Sequence, residues 1–530
     1  MERLDGRRRT RRGVRTTAVA LGATCLLGAC SGSPSPTTGA PIPPNPSVGQ
    51  GNSAQRGAPA QSGTVPGGGA PADQRVGAPR PSPGPQPTTI PSRNDPMTDP
   101  GKDPLSTFAL DVDTGSYTRF RDATLQGRPV SAAGVRTEEF VNYFEQEYAA
   151  PADGLAVSVD GARLPFDESR RVVRVGVRSP DLADAERPDV NLELVVDCSG
   201  SMSEAGKMAT TKQALGVLVR ALRPADRVGM VCYSTTARVL LAPTPVSERD
   251  AILAAIDTLQ PEASTNVAAG LDLGFAQART MPAEGRLTRV VLISDGVANV
   301  GATSPAAILD RVGASAREGI SLISIGVGIA DYNDLLLEQL ADKGEGWHAY
   351  VDSPAEAERI FARRLTSSLV IAARQAKVQV SFDASRVAAY RLVGYENRAV
   401  ADRDFRNDAV DGGEVFVGRS ATALYEVVLR EGAGDGPIAT ATVRYQLPGG
   451  STAERVAGLA SKDTTRALDA APRRLHQDVV VALVADRLAG GPWSRRTTLA
   501  DLSAQTAAVT ARIDGDRDVA ELASLVGRLR

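Results

Sequence analysis

The stretch VVDCSGSMS, Val195–Ser203, constrains the fold more than any other in the chain. Leu192, Leu194, Val195 and Val196 form an apolar run that stops at Asp197, and Ser199 and Ser201 follow at alternate positions around Gly200. A buried strand that ends in a polar Gly/Ser turn and then enters a helix is where an α/β sheet receives its ligand. One carboxylate and two hydroxyls present only hard oxygens. Such a set suits Mg²⁺, Mn²⁺ or Ca²⁺ and suits Zn²⁺ or Cu²⁺ poorly.

The surrounding sequence supplies the sheet. Apolar runs at Leu192–Val196, Arg227–Tyr233, Ala237–Leu241, Arg289–Ser294, Ser321–Val327 and Trp347–Val351 read as strands. Helical periodicity separates most of them, over Lys207–Leu222, Ala251–Leu259, Val267–Ala278, Ser304–Glu318, Asp334–Ala341 and Pro354–Leu369. Strand and helix in alternation predict an α/β fold, a doubly wound, mostly parallel sheet covered on both faces, over residues 189–374. Three oxygen-rich loops lie at strand ends or helix starts: Asp197/Ser199/Ser201, Ser264/Thr265 and Asp295. Loops distant in sequence converge at the switch point of such a sheet, so these three are expected to share one ion.

Asp197-Cys-Ser199-Gly-Ser201, followed by Thr265 and then Asp295-Gly296, resembles the metal-ion-dependent adhesion site of von Willebrand factor A domains. The resemblance implies hydroxyl ligation by Ser199, Ser201 and Thr265, with Asp197 and Asp295 reaching the ion through water. It implies a coordination position open to an Asp or Glu of a protein partner. Neutral hydroxyls leave the ion electrophilic, which strengthens its contact with that carboxylate. Further segments, among them DVDTGSYTRF, EEFVNYF, YRLVGYENR and TALYEVVL, resemble bacterial lipoproteins of the YfbK type, in which an A domain lies between extra N- and C-terminal regions.

The first 29 residues read as an export signal: a basic start from Arg3 to Arg15, then a short apolar run, Thr16–Leu27, too short for the ~20 residues that span a bilayer. Leu27-Gly28-Ala29-Cys30 resembles a lipobox, which implies a diacylglycerol on Cys30 and a membrane attachment through it. Thr10-Arg11-Arg12 leaves Sec and twin-arginine export both open. Residues 30–104 are Pro, Gly, Ser, Ala, Thr and Gln with almost no large apolar side chain, a composition expected to stay disordered as a tether.

Helices and strands are expected over residues 105–188, with Asp111, Asp113 and Ser116 as helix caps. Residues 375–450 read as antiparallel strands that close a β-sandwich with Leu155–Val177, and residues 451–530 as terminal helices that pack on the body. Asp514, Asp516 and Asp518 are expected to cap a helix, and Arg391, Tyr395, Glu396 and Arg398 to form an inter-domain network. Cys198 and Cys232 either pair or remain buried thiols.

Sixty Lys and Arg against 62 Asp and Glu give no basic field for nucleic acid. Two histidines, no G-x-S-x-G and no phosphate loop leave no visible catalytic machinery. The expected function is non-enzymatic: a lipid-anchored, extracytoplasmic protein whose cation site binds an acidic residue of a partner, in adhesion or envelope-complex assembly. The alternatives are a metal-dependent hydrolase or a purely structural envelope protein. The sequence fixes no oligomeric state.

Overall fold

The computed structural model describes residues 97–262, 264–296, 305–328 and 334–529. The export signal, Cys30 and nearly all of the tether lie outside the described residues. Among those described, no helix is long and apolar enough to cross a membrane.

The first elements are β1 (Leu105–Ala109), α1 (Gly115–Leu125), α2 (Thr137–Tyr143), β2 (Ala156–Leu164) and β3 (Asp167–Arg178). The sheet domain follows as β4 (Asp189–Asp197), α3 (Lys207–Ala221), β5 (Arg227–Tyr233), β6 (Ala237–Pro245), α4 (Arg249–Asp257), α5 (Val267–Ala278) and β7 (Arg286–Ser294). It continues through α6 (Pro305–Arg317), β8 (Ile320–Val327), α7 (Asp334–Lys343) and β9 (His348–Val351). The segment ends in α8 (Pro354–Glu358), a π-helical turn at Arg359–Arg363 and α9 (Leu365–Leu369). The C-terminal part comprises β10 (Ile371–Phe382), β11 (Val387–Val393), β12 (Gly413–Phe416), β13 (Ser420–Leu429), β14 (Pro437–Gln446) and β15 (Thr452–Ala460). Three helices close it, α10 (Arg473–Ala489), α11 (Leu499–Arg512) and α12 (Arg517–Val526).

The six-stranded sheet runs in the order β6-β5-β4-β7-β8-β9. Its strands are parallel except β6, which pairs antiparallel with β5 at the edge. The pleat alternates side chains between two apolar layers. Leu192, Leu194 and Val196 face one layer, shared with α3 and the α8–α9 segment, and Val195 faces the other, shared with α5, α6 and α7. Burial on both faces explains why β4 reads as a nearly unbroken apolar run.

The flanking regions build one structure together. β1 and β10 pair antiparallel, as do β3 and β13, each pairing bridging the whole sheet domain between them in sequence. One sheet contains β1, β10, β14 and β15, with β12 also on β10; the other runs β11-β13-β3-β2. Val173, Val175 and Val177 from the second meet Val378, Val380 and Val443 from the first in a common core, so the expected sandwich exists. The sheet domain is inserted into it, leaving after β3 and returning at β10. Helix α10 is buried along most of its length among α1, α2, α11 and α12.

Asp516 caps α12 as expected, accepting from Asp518 N–H and Val519 N–H at 3.1 and 3.2 Å. Asp111 and Asp113 do not cap α1. Asp113 Oδ1 accepts from His348 N–H at 3.0 Å and Asp111 Oδ2 from Arg398 Nε at 3.2 Å, tying the N-terminal part to β9 and the C-terminal part. Arg398 also reaches Asp342 on α7 at 2.8 Å. Ser116 lies inside α1, and its N–H donates to Glu139 at 2.7 Å.

Candidate functional site

β4 carries Asp197 to the carboxyl end of the sheet, where the chain must turn. Ser199 N–H donates to Asp197 Oδ1 at 2.8 Å, which folds the turn back on its own carboxylate. Ser199 Oγ and Ser201 Oγ share a hydrogen bond of 2.9 Å, and Ser201 Oγ donates to Asp295 Oδ1 at 3.0 Å. Asp295 directly follows β7, the neighbour of β4, so adjacent parallel strands deliver both acids to one point. Asp197 and Ser199 are buried and Ser201 is exposed, which places the hydroxyl pair at the surface of the sheet's end.

Thr265 precedes α5 and is nearly buried. Glu262 N–H donates to the Cys198 carbonyl at 2.6 Å, fastening this loop beside the Asp197 turn. Gly274 lets α5 lie against β4: a Cβ there would stand 2.3 Å from Val195 Cγ2. No hydrogen bond joins Thr265 to the other four residues among those described. Cys198 and Cys232 form a disulfide, Cα atoms 5.9 Å apart, which pins the turn to β5.

Electrostatics at the site are tightly balanced. Burial lifts the Asp197 carboxyl above the usual carboxylate range, and the negative charge of Asp295 adds to it. Donors from Ser294 and Ser199 oppose the rise. Ser294 Oγ and Tyr233 OH reach Asp197 Oδ2 at 2.7 and 3.2 Å. Lys207 Nζ donates to Asp295 Oδ2 at 2.8 Å. Burial pulls the Lys207 ammonium down, yet Asp295 and Glu204 raise it overall.

The donors suit a hard divalent cation. None of the three hydroxyls is spent on a helix cap: Ser199 opens a 3₁₀ turn without a cap bond, Gly206 precedes α3, and Asn266 caps α5 by accepting from Ala269 N–H at 3.1 Å. Among the described residues no three or more His, Cys, Asp or Glu side chains gather as a metal group, so a cation here depends on hydroxyl oxygens.

Sequence reasoning passed over Lys207, Ser294 and Tyr233. Lys207 carried a usable signal, because a cation at the first position of a helix opposes the dipole and calls for a local anion. The two histidines are buried structural residues: His348 Nδ1 shares a 2.7 Å hydrogen bond with Ser324, and His476 lies between Gln505 and Arg512.

Residues 191–363 match the von Willebrand factor type A domain family, residues 91–174 a family described as von Willebrand factor, and residues 367–530 the C-terminal region of uncharacterized protein YfbK. The chain is 34% identical over 345 residues to uncharacterized protein YfbK of Escherichia coli (strain K12), covering 63% of this chain and 60% of that one. It is 28% identical over 193 residues to uncharacterized protein sll0103 of Synechocystis, covering 36% of this chain and 45% of that one. The chain thus spans less than two thirds of each relative's length. A solved von Willebrand factor type A protein from Catenulispora acidiphila is similar over 66% of this chain and 89% of its own, at 16% identity and a TM-score of 0.39.

Proposed function

We propose that Asp197, Ser199, Ser201, Thr265 and Asp295 hold one divalent cation for docking a partner's carboxylate, a reading supported by the match of residues 191–363 to the von Willebrand factor type A domain family and by the similarity to YfbK. Mg²⁺ is the ion this donor set favours, with Mn²⁺ or Ca²⁺ as substitutes. The bound ion supplies a Lewis-acidic position for an Asp or Glu side chain of the partner. Ser199 and Ser201 orient their hydroxyls toward one another and toward Asp295. Thr265 adds a third hydroxyl from the loop held to Cys198. Asp197 fixes the turn through Ser199 N–H, and Lys207 balances the charge of Asp295 from the protein side.

The observation that carries this reading is the unbroken chain Ser199–Ser201–Asp295, which joins two sequence-distant loops through oxygens that no helix cap consumes. An extracytoplasmic setting, with the chain held to the membrane through a lipid on Cys30, belongs to the same proposal. The Cys198–Cys232 disulfide supports an oxidising compartment.

The test is capture of envelope proteins by the purified protein with Mg²⁺, with EDTA, and with Asp197→Ala/Ser199→Ala. Capture that disappears with EDTA and in the double variant supports the proposal. Capture that ignores both defeats it.

A further inference from the structure

A second cluster of charge lies away from the cation loop, where the sheet domain meets both flanking regions. Arg359 and Arg364 from the π-helical turn and its end, Arg419 from the turn between β12 and β13, and Thr114 from the loop before α1 line one cavity, with Trp347 and Phe416 as its apolar walls. The cavity measures about 10 Å³, room for the centre of one water-sized sphere. No carboxylate lines it.

The three guanidiniums are unequally paired. Arg359 is held by Glu356 at 2.5 and 2.9 Å, and Arg364 meets Glu145 at 3.2 Å near the surface. Arg419 has no carboxylate partner among the described residues. Its Nε donates to the Ser367 carbonyl at 3.3 Å and one terminal nitrogen to Ser368 Oγ at 3.4 Å, and its Cζ lies 5.6 Å from the centroid of the Trp347 ring. These two long bonds leave most of its five donors unused. Burial, with Arg364 and Arg359 nearby, brings the Arg419 guanidinium down to about 9 against the opposing pull of Asp113 and Glu356. The Thr114 hydroxyl adds another donor, since it caps nothing at the start of α1.

We propose that this cavity binds one inorganic anion of halide size, held by the Arg419 and Arg364 guanidiniums and the Thr114 hydroxyl. With Arg359 and Arg364 each paired to a carboxylate, Arg419 is the lining charge with no acid hydrogen-bonded to it, and the small volume suits a monatomic counter-ion. The ion bridges the end of the sheet domain to β12–β13 and to the β1–α1 loop. It thereby fastens the inserted domain to its sandwich at a place distinct from the cation loop.

The test uses the purified full chain, melted in sodium chloride and in sodium gluconate at equal ionic strength. A ligand that binds only the folded state raises the midpoint with its concentration, by roughly 1–2 °C per tenfold rise above its Kd for a chain of this size. The expected result is that rise in chloride and bromide but not in gluconate, and its loss in Arg419→Gln. Crystals soaked in bromide should show an anomalous peak among the three arginines, a measurement that decides the matter alone if Arg419→Gln does not fold. Equal melting in chloride and gluconate, or bromide-soaked crystals with no peak in the cavity, overturns the proposal. A rise specific to phosphate overturns the halide assignment.

Discussion

Raising the pH from 5 to 8 should weaken the sheet domain, and Glu193→Gln should remove much of that weakness. Glu193 lies in the middle of β4 on the Val195 face, fully buried, and neither carboxyl oxygen has a hydrogen-bond partner. Its neighbour on β5 is Gly229, where a Cβ would stand 2.1 Å from Glu193 Oε2. Burial alone lifts this carboxyl to about 8 from an ordinary value of 4.5. The folded state therefore holds the proton more tightly than the unfolded state. Stability is full below pH 4.5 and is lost as pH rises toward 8. At about 1.4 kcal/mol per pH unit the interval caps the effect at about 5 kcal/mol, of which about 3–4 kcal/mol falls between pH 5 and pH 8. Glutamine keeps the shape and stays neutral. Wild type and variant should agree within about 1 kcal/mol at pH 5, and the variant should be more stable by about 3–4 kcal/mol at pH 8. Guanidinium denaturation followed by tryptophan fluorescence, with Trp347 in the sheet domain and Trp493 in the C-terminal part as reporters, gives both numbers. Comparing the two proteins cancels other buried acids with raised values, such as Glu138 at about 7 and Asp342 at about 6. Parallel pH profiles would refute the reasoning, because they would mean that the carboxyl keeps a partner or water in the folded state.

Three further outcomes are expected. Gly274→Ala should push α5 off β4 at Val195, costing about 1–3 kcal/mol in denaturant midpoint and weakening cation binding through the Thr265 loop; isothermal titration with Mg²⁺ and a denaturation curve read the two effects separately. Cys198→Ala with Cys232→Ala should lower stability by roughly 2–4 kcal/mol, since the bond closes a separation of 34 residues; wild type in reductant should melt like the double variant. Cys30→Ser should move the protein from the membrane to the soluble fraction on cell fractionation, and continued sedimentation with membranes would contradict the anchor.

The polar turn at the end of β4 was legible in the sequence because Asp197, Ser199 and Ser201 stand out as oxygens at the end of an apolar run; its convergence with Asp295 follows from the pairing of β4 with β7. The sheet was legible because burial on both faces writes itself as short apolar blocks. Pairings that span the chain left no such trace. Asp111 and Asp113 look like helix caps because local pattern cannot see Arg398, 287 positions beyond Asp111. The partnership of Cys198 and Cys232 was open for the same reason, as spacing says nothing about which strands adjoin. Glu193 was visible as a lone acid in an apolar strand, but its isolation depends on Gly229 across the ladder.

The β1–β10 ladder has a mechanical consequence. Leu105 stands opposite Ser381 and Ala109 opposite Lys377, so the end of β1 nearest the chain's N-terminal side lies beside the far end of β10. The inserted domain joins β10 at its other end, Ile371. A pull on residue 97 resisted at the inserted domain draws these two strands past each other lengthwise, and their hydrogen bonds share the force instead of opening one by one. Traction applied from the N-terminal side is thus taken up within the sandwich, sparing the turns at Asp197 and Asp295.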